Sequence, residues 1–308
     1  SRSIMKLTHD LQSNERTRRS TDSQLDQINS KSTNEMKIAG RNYLVDHEAN
    51  RIAFLDSRFY RTPSGAFVPS VTTILEAYPK GAQFFEWIKK HGEDSDTIRD
   101  EAGRRGSVVH EATEVLDLGG KLELMTDDGA PKYKLSEWAM ISRYVEFRQA
   151  HPAKIHAVET KLAVDDLGYA GTLDRVMTID GITYLVDIKT SGSIWPSYWL
   201  QQAAYHKLLH DSGVAESLGL PPDVRLAILW LNARTRGTAK GKVQGQGWQM
   251  VTQPESTEHY LDLFEKTRGL WMAENAGQQP RQISYQLTLD VKSAQPESEQ
   301  QTTDTKNK

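Results

Sequence analysis

The chain has 308 residues, of which 37% are hydrophobic and 26% are charged, with a net charge of −3 and no cysteine. The lack of cysteine excludes disulfides, thiolate zinc sites and cysteine-ligated iron–sulfur clusters, and it fits a reducing compartment. Any metal must therefore be held by oxygen or imidazole. The negative charge excludes a global polycation, so contacts with nucleic acid must come from local patches. No apolar run approaches the about 20 residues of a membrane span.

Composition predicts a folded region between two polar ends. Residues 1–38 are rich in Ser, Asn, Gln, Arg and Asp and are expected to form a disordered arm. Residues 281–308 are expected to form a disordered tail for the same reason. Residues 39–280 are predicted to form a single domain.

Within this domain, hydrophobic spacing and turn residues predict alternating helices and strands. The predicted helices are a segment that begins at Ser70, followed by 82–90, 97–118, 135–149, 199–210 and 256–275. The predicted strands are 155–164, a hairpin over 172–190, a buried strand at 225–232, and 247–252. This order predicts an α/β layer fold with a small mixed sheet.

The hairpin over 172–190 carries the most informative residues. Asp180-Gly181 is a strong signal for a two-residue turn, and such a turn would place Asp174 opposite Asp187. Carboxylates facing each other across a ladder repel, and period-2 alternation puts Lys189 on the same face. Such a group destabilises a hairpin but suits a divalent cation, because hard cations favour converging carboxylate oxygens. The hairpin therefore predicts metal-dependent chemistry on phosphates.

Several motifs in fixed order resemble the PD-(D/E)XK nuclease superfamily. They are Gly106-Ser-Val-Val-His110-Glu111, Glu159, Gly171-Thr-Leu-Asp174, Asp187-Ile-Lys189 and Gln201-x-x-x-Tyr205. The last motif is similar to the RecB-like branch. Pro69-Ser70-Val-Thr-Thr-Ile-Leu75 resembles the start of the mitochondrial genome-maintenance exonuclease group, and the chain also resembles phage exonucleases. The resemblance covers roughly residues 69–210 and implies a restriction-endonuclease-like core, a small mixed β-sheet flanked by helices.

The resemblance implies a role for each matched residue. Asp174 and Asp187 would be catalytic metal ligands, and His110 would ligate the metal from its helix. The backbone carbonyl of Ile188 would be a further ligand. Lys189 would be the third catalytic residue, orienting the attacking water and stabilising charge on the phosphate. The implied cofactor is Mg²⁺ or Mn²⁺.

Other matched residues leave two interpretations open. Glu159 is expected either near the metal and its waters or, like most strand glutamates, in solvent. Taken alone, His110 would be an ordinary helix histidine. Gln201 and Tyr205 share a helix face at i and i+4, where the resemblance implies contact with DNA or with the lysine. The alternative for Tyr205 is a half-buried helix tyrosine.

Contacts with DNA are also predicted from basic and aromatic residues. The predicted phosphate contacts are Arg104, Arg105, Arg234, Arg236, Lys240 and Lys242. The alternative for the last four is a solvated hairpin loop. Trp195, Tyr198 and Trp199 could stack on unpaired bases or could cap the sheet as core aromatics.

These features together predict a metal-dependent exonuclease that hydrolyses DNA from its ends, on single strands. The alternatives are an endonuclease of the restriction, recombination or phage DNA-processing type, and a non-catalytic nucleic-acid-binding subunit. No P-loop motif is present, so helicase action would need a recombination or replication partner. The expected compartment is the cytoplasm of a bacterial or phage-infected cell, or another reducing compartment, with no membrane partner.

Overall fold

The computed structural model describes residues 34–38, 41–46, 50–54, 56, 58–236, 243–280 and 283–291. The chain divides into two compact units, one formed by the segments before residue 58 and after residue 279, the other by Arg58–Gln279. Each contains its own sheet, and the protein is of the mixed α/β class.

The elements follow one another in chain order. The strands are β1 (Asn34–Ile38), β2 (Arg41–Asp46), β3 (Arg51–Phe54), β4 (Phe59–Arg61), β5 (Phe67–Pro69), β6 (Ala153–Val164), β7 (Tyr169–Ile179), β8 (Ile182–Lys189), β9 (Arg225–Arg236), β10 (Val243–Thr252) and β11 (Ile283–Gln286). The α-helices are α1 (Val71–Ile74), α2 (Ala82–His91), α3 (Asp94–Asp117), α4 (Leu135–Ala150), α5 (Pro196–Asp211), α6 (Val214–Ser217) and α7 (Thr257–Glu274). Within the residues described above, no helix combines the length and apolar character that a membrane span requires.

The boundaries of the smaller unit differ from the predicted domain boundaries. It holds an antiparallel sheet of order β1-β2-β3-β11. The ends of the chain were expected to be disordered over 1–38 and 281–308, yet β1 and β11 lie inside those ranges. Their backbone groups pair with the neighbouring strands β2 and β3, which gives order to these segments. Residues 1–33, 281–282 and 292–308 of the predicted ends lie outside the described residues.

The larger unit is a five-stranded mixed sheet between two layers of helices. The strand order is β10-β9-β8-β7-β6, and only β8 and β9 run parallel. One face packs on α5 and α7 through Leu200 and Phe264. The other face packs on α3 and α4 through Val109 and Ile141. The predicted small mixed sheet flanked by helices is confirmed.

The hairpin register is confirmed up to the candidate site. Ile179 pairs with Ile182, and the ladder continues to Arg175 opposite Val186. The turn residues Asp180 and Gly181 have φ of +49° and +81°, as a two-residue hairpin turn of this hand requires.

Candidate metal centre

The inner face of helix α3 lies against the end of β8. Gly106, His110 and Thr113 recur at intervals of four and three residues, so they share that face. A Cβ atom added at Gly106 would lie 3.5 Å from Oγ1 of Thr190. That distance is an ordinary van der Waals contact, and from the same face His110 reaches the backbone of Ile188.

Three side chains with ligating atoms converge at this point. Nδ1 of His110 lies 3.4 Å from Oε1 of Glu159 and 3.6 Å from Oδ2 of Asp174. One ligand atom from each of the three lies within 4.8 Å of the others, and we call this group the metal cluster. Nε2 of His110 lies 2.9 Å from the carbonyl oxygen of Ile188, a hydrogen bond that orients the ring with Nδ1 toward the carboxylates. The cluster offers the oxygen and imidazole donors that a divalent cation needs.

The carboxylates control the protonation of this histidine. Burial lowers the pKa of His110, but the charges of Asp174 and Glu159 and a hydrogen bond to Glu159 outweigh it and raise the pKa to about 9. Burial raises the pKa of Glu159, but the opposing effect of His110 and Arg175 is larger, so the pKa of Glu159 lies below its ordinary value. Without a cation, a proton on His110 balances the carboxylates. A bound cation would take the place of that proton.

Glu159 reaches the cluster from an unusual backbone conformation. It lies in β6 with φ of +41°, in the left-handed region that non-glycine residues rarely adopt. Val158 pairs with Arg175, so the register puts Glu159 opposite Asp174. A conformation of this kind costs about 1–3 kcal/mol and persists only where its surroundings enforce it. Of the two interpretations of Glu159, the structure favours the one beside the candidate metal ligands.

The observed cluster differs from the expected ligand set. The β7–β8 ladder ends at Arg175, and the Asp174 carboxylate accepts the Ile188 N–H at 2.7 Å instead. Asp187, expected beside Asp174, lies outside the metal cluster. The Ile188 carbonyl, expected as a ligand, is hydrogen-bonded to His110. Asp174 contacts His110 of α3, whereas Asp187 contacts Lys189 and Gln201 of α5.

Asp187 forms a buried ion pair with Lys189. Val186 and Ile188 belong to the apolar cluster under α3 and α4, so alternation directs Asp187 and Lys189 to the α5 face. Nζ of Lys189 lies 2.7 Å from Oδ2 of Asp187, which is 1% exposed. Burial raises the pKa of Asp187 to about 6, although the charge of Lys189 opposes that shift. Burial lowers the pKa of Lys189, but the charges of Asp187 and Asp174 and a hydrogen bond to Asp187 raise it overall, so the ammonium stays charged.

Gln201 and Tyr205 contact this ion pair from α5. Oε1 of Gln201 accepts a hydrogen bond from Nζ of Lys189 at 3.3 Å, and its Nε2 lies 3.5 Å from Oδ1 of Asp187. The same Nε2 donates to the hydroxyl of Tyr205 at 3.2 Å. Tyr205 is only 5% exposed and Gln201 is also buried, which leaves little surface for the predicted direct contact with DNA. Of the two implied roles, the structure favours contact with the lysine.

The basic residues that were predicted to contact DNA phosphates lie in different surroundings. Arg104 donates to Glu101 at 3.2 Å and to Glu137 at 2.7 Å, so two carboxylates neutralise its charge. Arg105 is half-buried, and among the described residues its Nε has no hydrogen-bond partner. Arg234 and Arg236 lie in β9, but their side chains are not described. Lys240 and Lys242 lie outside the described residues.

The three aromatic residues before and within α5 divide between core and site. Trp199 is buried and stacks on Tyr260 with ring centres 6.0 Å apart, as a core aromatic does. The ring centre of Tyr198 lies 4.6 Å from Nζ of Lys189, which makes it a neighbour of the ion pair. Trp195 is 39% exposed and is the one of the three with a free surface for stacking.

Sequence reasoning missed Arg175, which follows Asp174 directly. Its guanidinium is fully buried and donates to Asp117, Glu159 and Thr113 at 2.7, 3.0 and 3.1 Å. The available signal was a charged residue in the middle of an otherwise apolar strand, because an arginine there requires buried partners.

Comparison with models of known protein families and with curated proteins finds no match for this chain. The geometry alone thus defines its class, a mixed α/β protein with a candidate site for a divalent cation at one end of its central strands.

Proposed function

We propose that this chain is a Mg²⁺- or Mn²⁺-dependent DNase with a restriction-endonuclease-like core, which hydrolyses phosphodiester bonds from the ends of single-stranded DNA. The observation that carries the proposal is the convergence of His110, Glu159 and Asp174 within 4.8 Å. Backbone contacts link that cluster to the strand that bears Lys189. The resemblance to the PD-(D/E)XK superfamily supplies the reaction class and the end preference.

The donor set of the metal cluster fits the proposed cofactor. Two carboxylates and one imidazole suit a hard or borderline divalent cation, and the imidazole favours Mn²⁺ over Mg²⁺. When bound, such a cation lowers the pKa of a water molecule and neutralises charge at the scissile phosphate. The hydrogen bond from His110 to the Ile188 carbonyl holds the imidazole in place for this purpose.

Lys189 supplies positive charge at the proposed reaction site. Its ammonium is held between Asp187 and Gln201, at 2.7 and 3.3 Å, so its position does not depend on the substrate. Because its pKa is raised above the ordinary value, Lys189 donates hydrogen bonds to a water or phosphate oxygen and does not remove a proton. Asp187 and Gln201 therefore act as positioning residues for this lysine.

Matched linear and circular DNA substrates test the proposal. We expect the protein with Mn²⁺ to degrade linear single-stranded DNA, to leave closed circles intact, and to be inactive in EDTA. Asp174→Asn and Lys189→Met should each lower the rate by about 100-fold or more. Asp211→Asn is the matched control, since it neutralises an exposed carboxylate on α5 that forms an ion pair with Lys207, and it should stay within about twofold.

The other outcomes distinguish the alternatives. Cleavage of circles would indicate the endonuclease, of the restriction or DNA-processing type. Mn²⁺ binding and DNA binding without cleavage would indicate the non-catalytic binding subunit. Full activity of Asp174→Asn would show that the metal cluster is not the active site.

A further inference from the structure

We propose that Arg175 is a positioning residue that holds Glu159 in the metal cluster. The inference rests on the proposed function, because it takes the cluster to be the metal centre. It adds a residue that binds neither metal nor DNA and acts on the cation through Glu159.

The contacts of Arg175 join every element that carries the cluster. Nη1 donates to Oε1 of Glu159 in β6 at 3.0 Å and to the backbone oxygen of Asp174 in β7 at 2.7 Å. Nε donates to Oδ2 of Asp117 at 2.7 Å and Nη2 to Oγ1 of Thr113 at 3.1 Å, both in α3. One rigid guanidinium thus ties both carboxylate ligands to the helix that bears the histidine.

Because Asp117 has a second arginine partner, the charge of Arg175 is available to stabilise the Glu159 carboxylate. Asp117 also pairs with Arg148, and its carboxylate accepts a hydrogen bond from Tyr144. With Arg148 present, the two arginines balance Asp117 and Glu159 together. Arg148 pairs with Asp117 and is 23% exposed, whereas Arg175 is fully buried between Asp117 and Glu159.

The backbone of Glu159 needs such a restraint. Its φ of +41° is disfavoured for a glutamate, so the chain would relax if nothing opposed it. The two hydrogen bonds from Nη1 fix the Glu159 carboxylate relative to Asp174 in the opposite strand. A lysine at this position would keep the charge, but its single nitrogen could not bond to Glu159, Asp117 and Thr113 at once, because it lacks the planar fork of donors.

Calorimetric titration with Mn²⁺ tests the proposal without requiring DNA cleavage. Arg175→Lys should weaken Mn²⁺ binding by about 10-fold or more, as loss of an outer partner of a metal ligand does. In the Glu159→Gln background, the same substitution should change the affinity by less than about twofold, because the ligand through which Arg175 acts is already lost. An equal loss in both backgrounds would overturn the proposal, since Arg175 would then act on the fold.

Arg148→Lys is the matched control, because it makes the same chemical change at the other arginine paired with Asp117. It should lower the melting temperature but leave Mn²⁺ affinity within about twofold. If wild type binds no Mn²⁺, both the metal centre and this inference are wrong. If wild type binds and Arg175→Lys binds equally well, only this inference is wrong.

A second pair of variants decides the matter if Arg175→Lys does not fold. Thr113→Val removes the hydroxyl that accepts the hydrogen bond from Nη2 and donates one to the backbone oxygen of His110, and it keeps the shape, whereas Thr113→Ser keeps the hydroxyl. We expect Thr113→Val to bind Mn²⁺ more weakly than Thr113→Ser, and this difference to disappear in the Glu159→Gln background. Equal affinities of these two variants would overturn the proposal.

Discussion

A Cβ atom at Gly171 would lie 2.3 Å from Cε1 of Tyr205, so the tyrosine ring rests directly on the backbone of β7. The hydroxyl of that ring accepts a hydrogen bond from Gln201, whose amide also reaches Asp187 and Lys189. The absence of a side chain at Gly171 thus allows α5 to pack closely on the sheet. Through Tyr205, this packing positions the Gln201 amide beside Asp187 and Lys189.

We expect Gly171→Ala to destabilise the protein by about 1–3 kcal/mol, because the added methyl group overpacks against a buried ring. Urea unfolding followed by fluorescence measures the change. In a Tyr205→Leu background the same substitution should cost clearly less, since the ring that causes the clash is gone. An equal cost in both backgrounds would show that the close approach is not the cause.

The backbone strain at Glu159 predicts an inverted order of stability between two variants. Alanine is ordinarily more stable than glycine within a strand, but its Cβ is disfavoured at φ of +41°. Both substitutions remove the carboxylate, so their difference isolates the backbone. We expect Glu159→Gly to be more stable than Glu159→Ala by about 0.5–1 kcal/mol, measured by urea unfolding. If Glu159→Ala is instead the more stable variant, the backbone of Glu159 is not strained.

The pKa of His110 predicts how metal binding depends on pH. In the metal-free protein this pKa is raised from 6.5 to about 9, so protonation of His110 stabilises the fold below pH 6.5, and that stabilisation is lost as pH rises through 9. A cation needs the neutral imidazole. Mn²⁺ affinity measured by calorimetry should therefore rise about tenfold per pH unit between about pH 7 and 8.5. His110→Asn should bind more weakly and lose this slope; a slope that survives would assign it to another group.

The buried ion pair of Asp187 and Lys189 predicts unequal effects of single and double substitution. Lys189→Met leaves a carboxylate that is 1% exposed without its cation, and we expect a loss of about 3–5 kcal/mol at pH 7. Adding Asp187→Asn removes the uncompensated charge and should restore most of that loss. Chemical unfolding of both variants provides the test. If the double variant is no more stable than Lys189→Met, the pair is not a coupled unit.

The sequence predicted best those features that depend on local signals. Asp180 and Gly181 are residues that tolerate positive φ, and the turn they form determines the register as far as Arg175. The predicted helix over 97–118 is confirmed as α3, and its His110 meets the hairpin as expected. The buried strand predicted at 225–232 is confirmed within β9.

The finer geometry of the site depends on contacts between elements, and the sequence did not reveal it. The register of the hairpin turn predicted that Asp174 faces Asp187 across the ladder, but the ladder ends at Arg175 and the Asp174 carboxylate accepts the Ile188 N–H. Glu159 joins the cluster through a backbone conformation that no residue pattern signals. Arg175 has its partners on α3, β6 and β7, and its burial follows only once those elements are assembled.

The central claim is that the metal cluster holds a cation on which DNA hydrolysis depends. The most direct measurement is the cleavage rate of an end-labelled single-stranded oligonucleotide in EDTA and then across a Mn²⁺ titration, for wild type and Asp174→Asn. We predict no cleavage in EDTA, recovery with Mn²⁺ for wild type, and a rate at least about 100-fold lower for the variant at every concentration. Cleavage in EDTA, or equal cleavage by both proteins, would contradict this account.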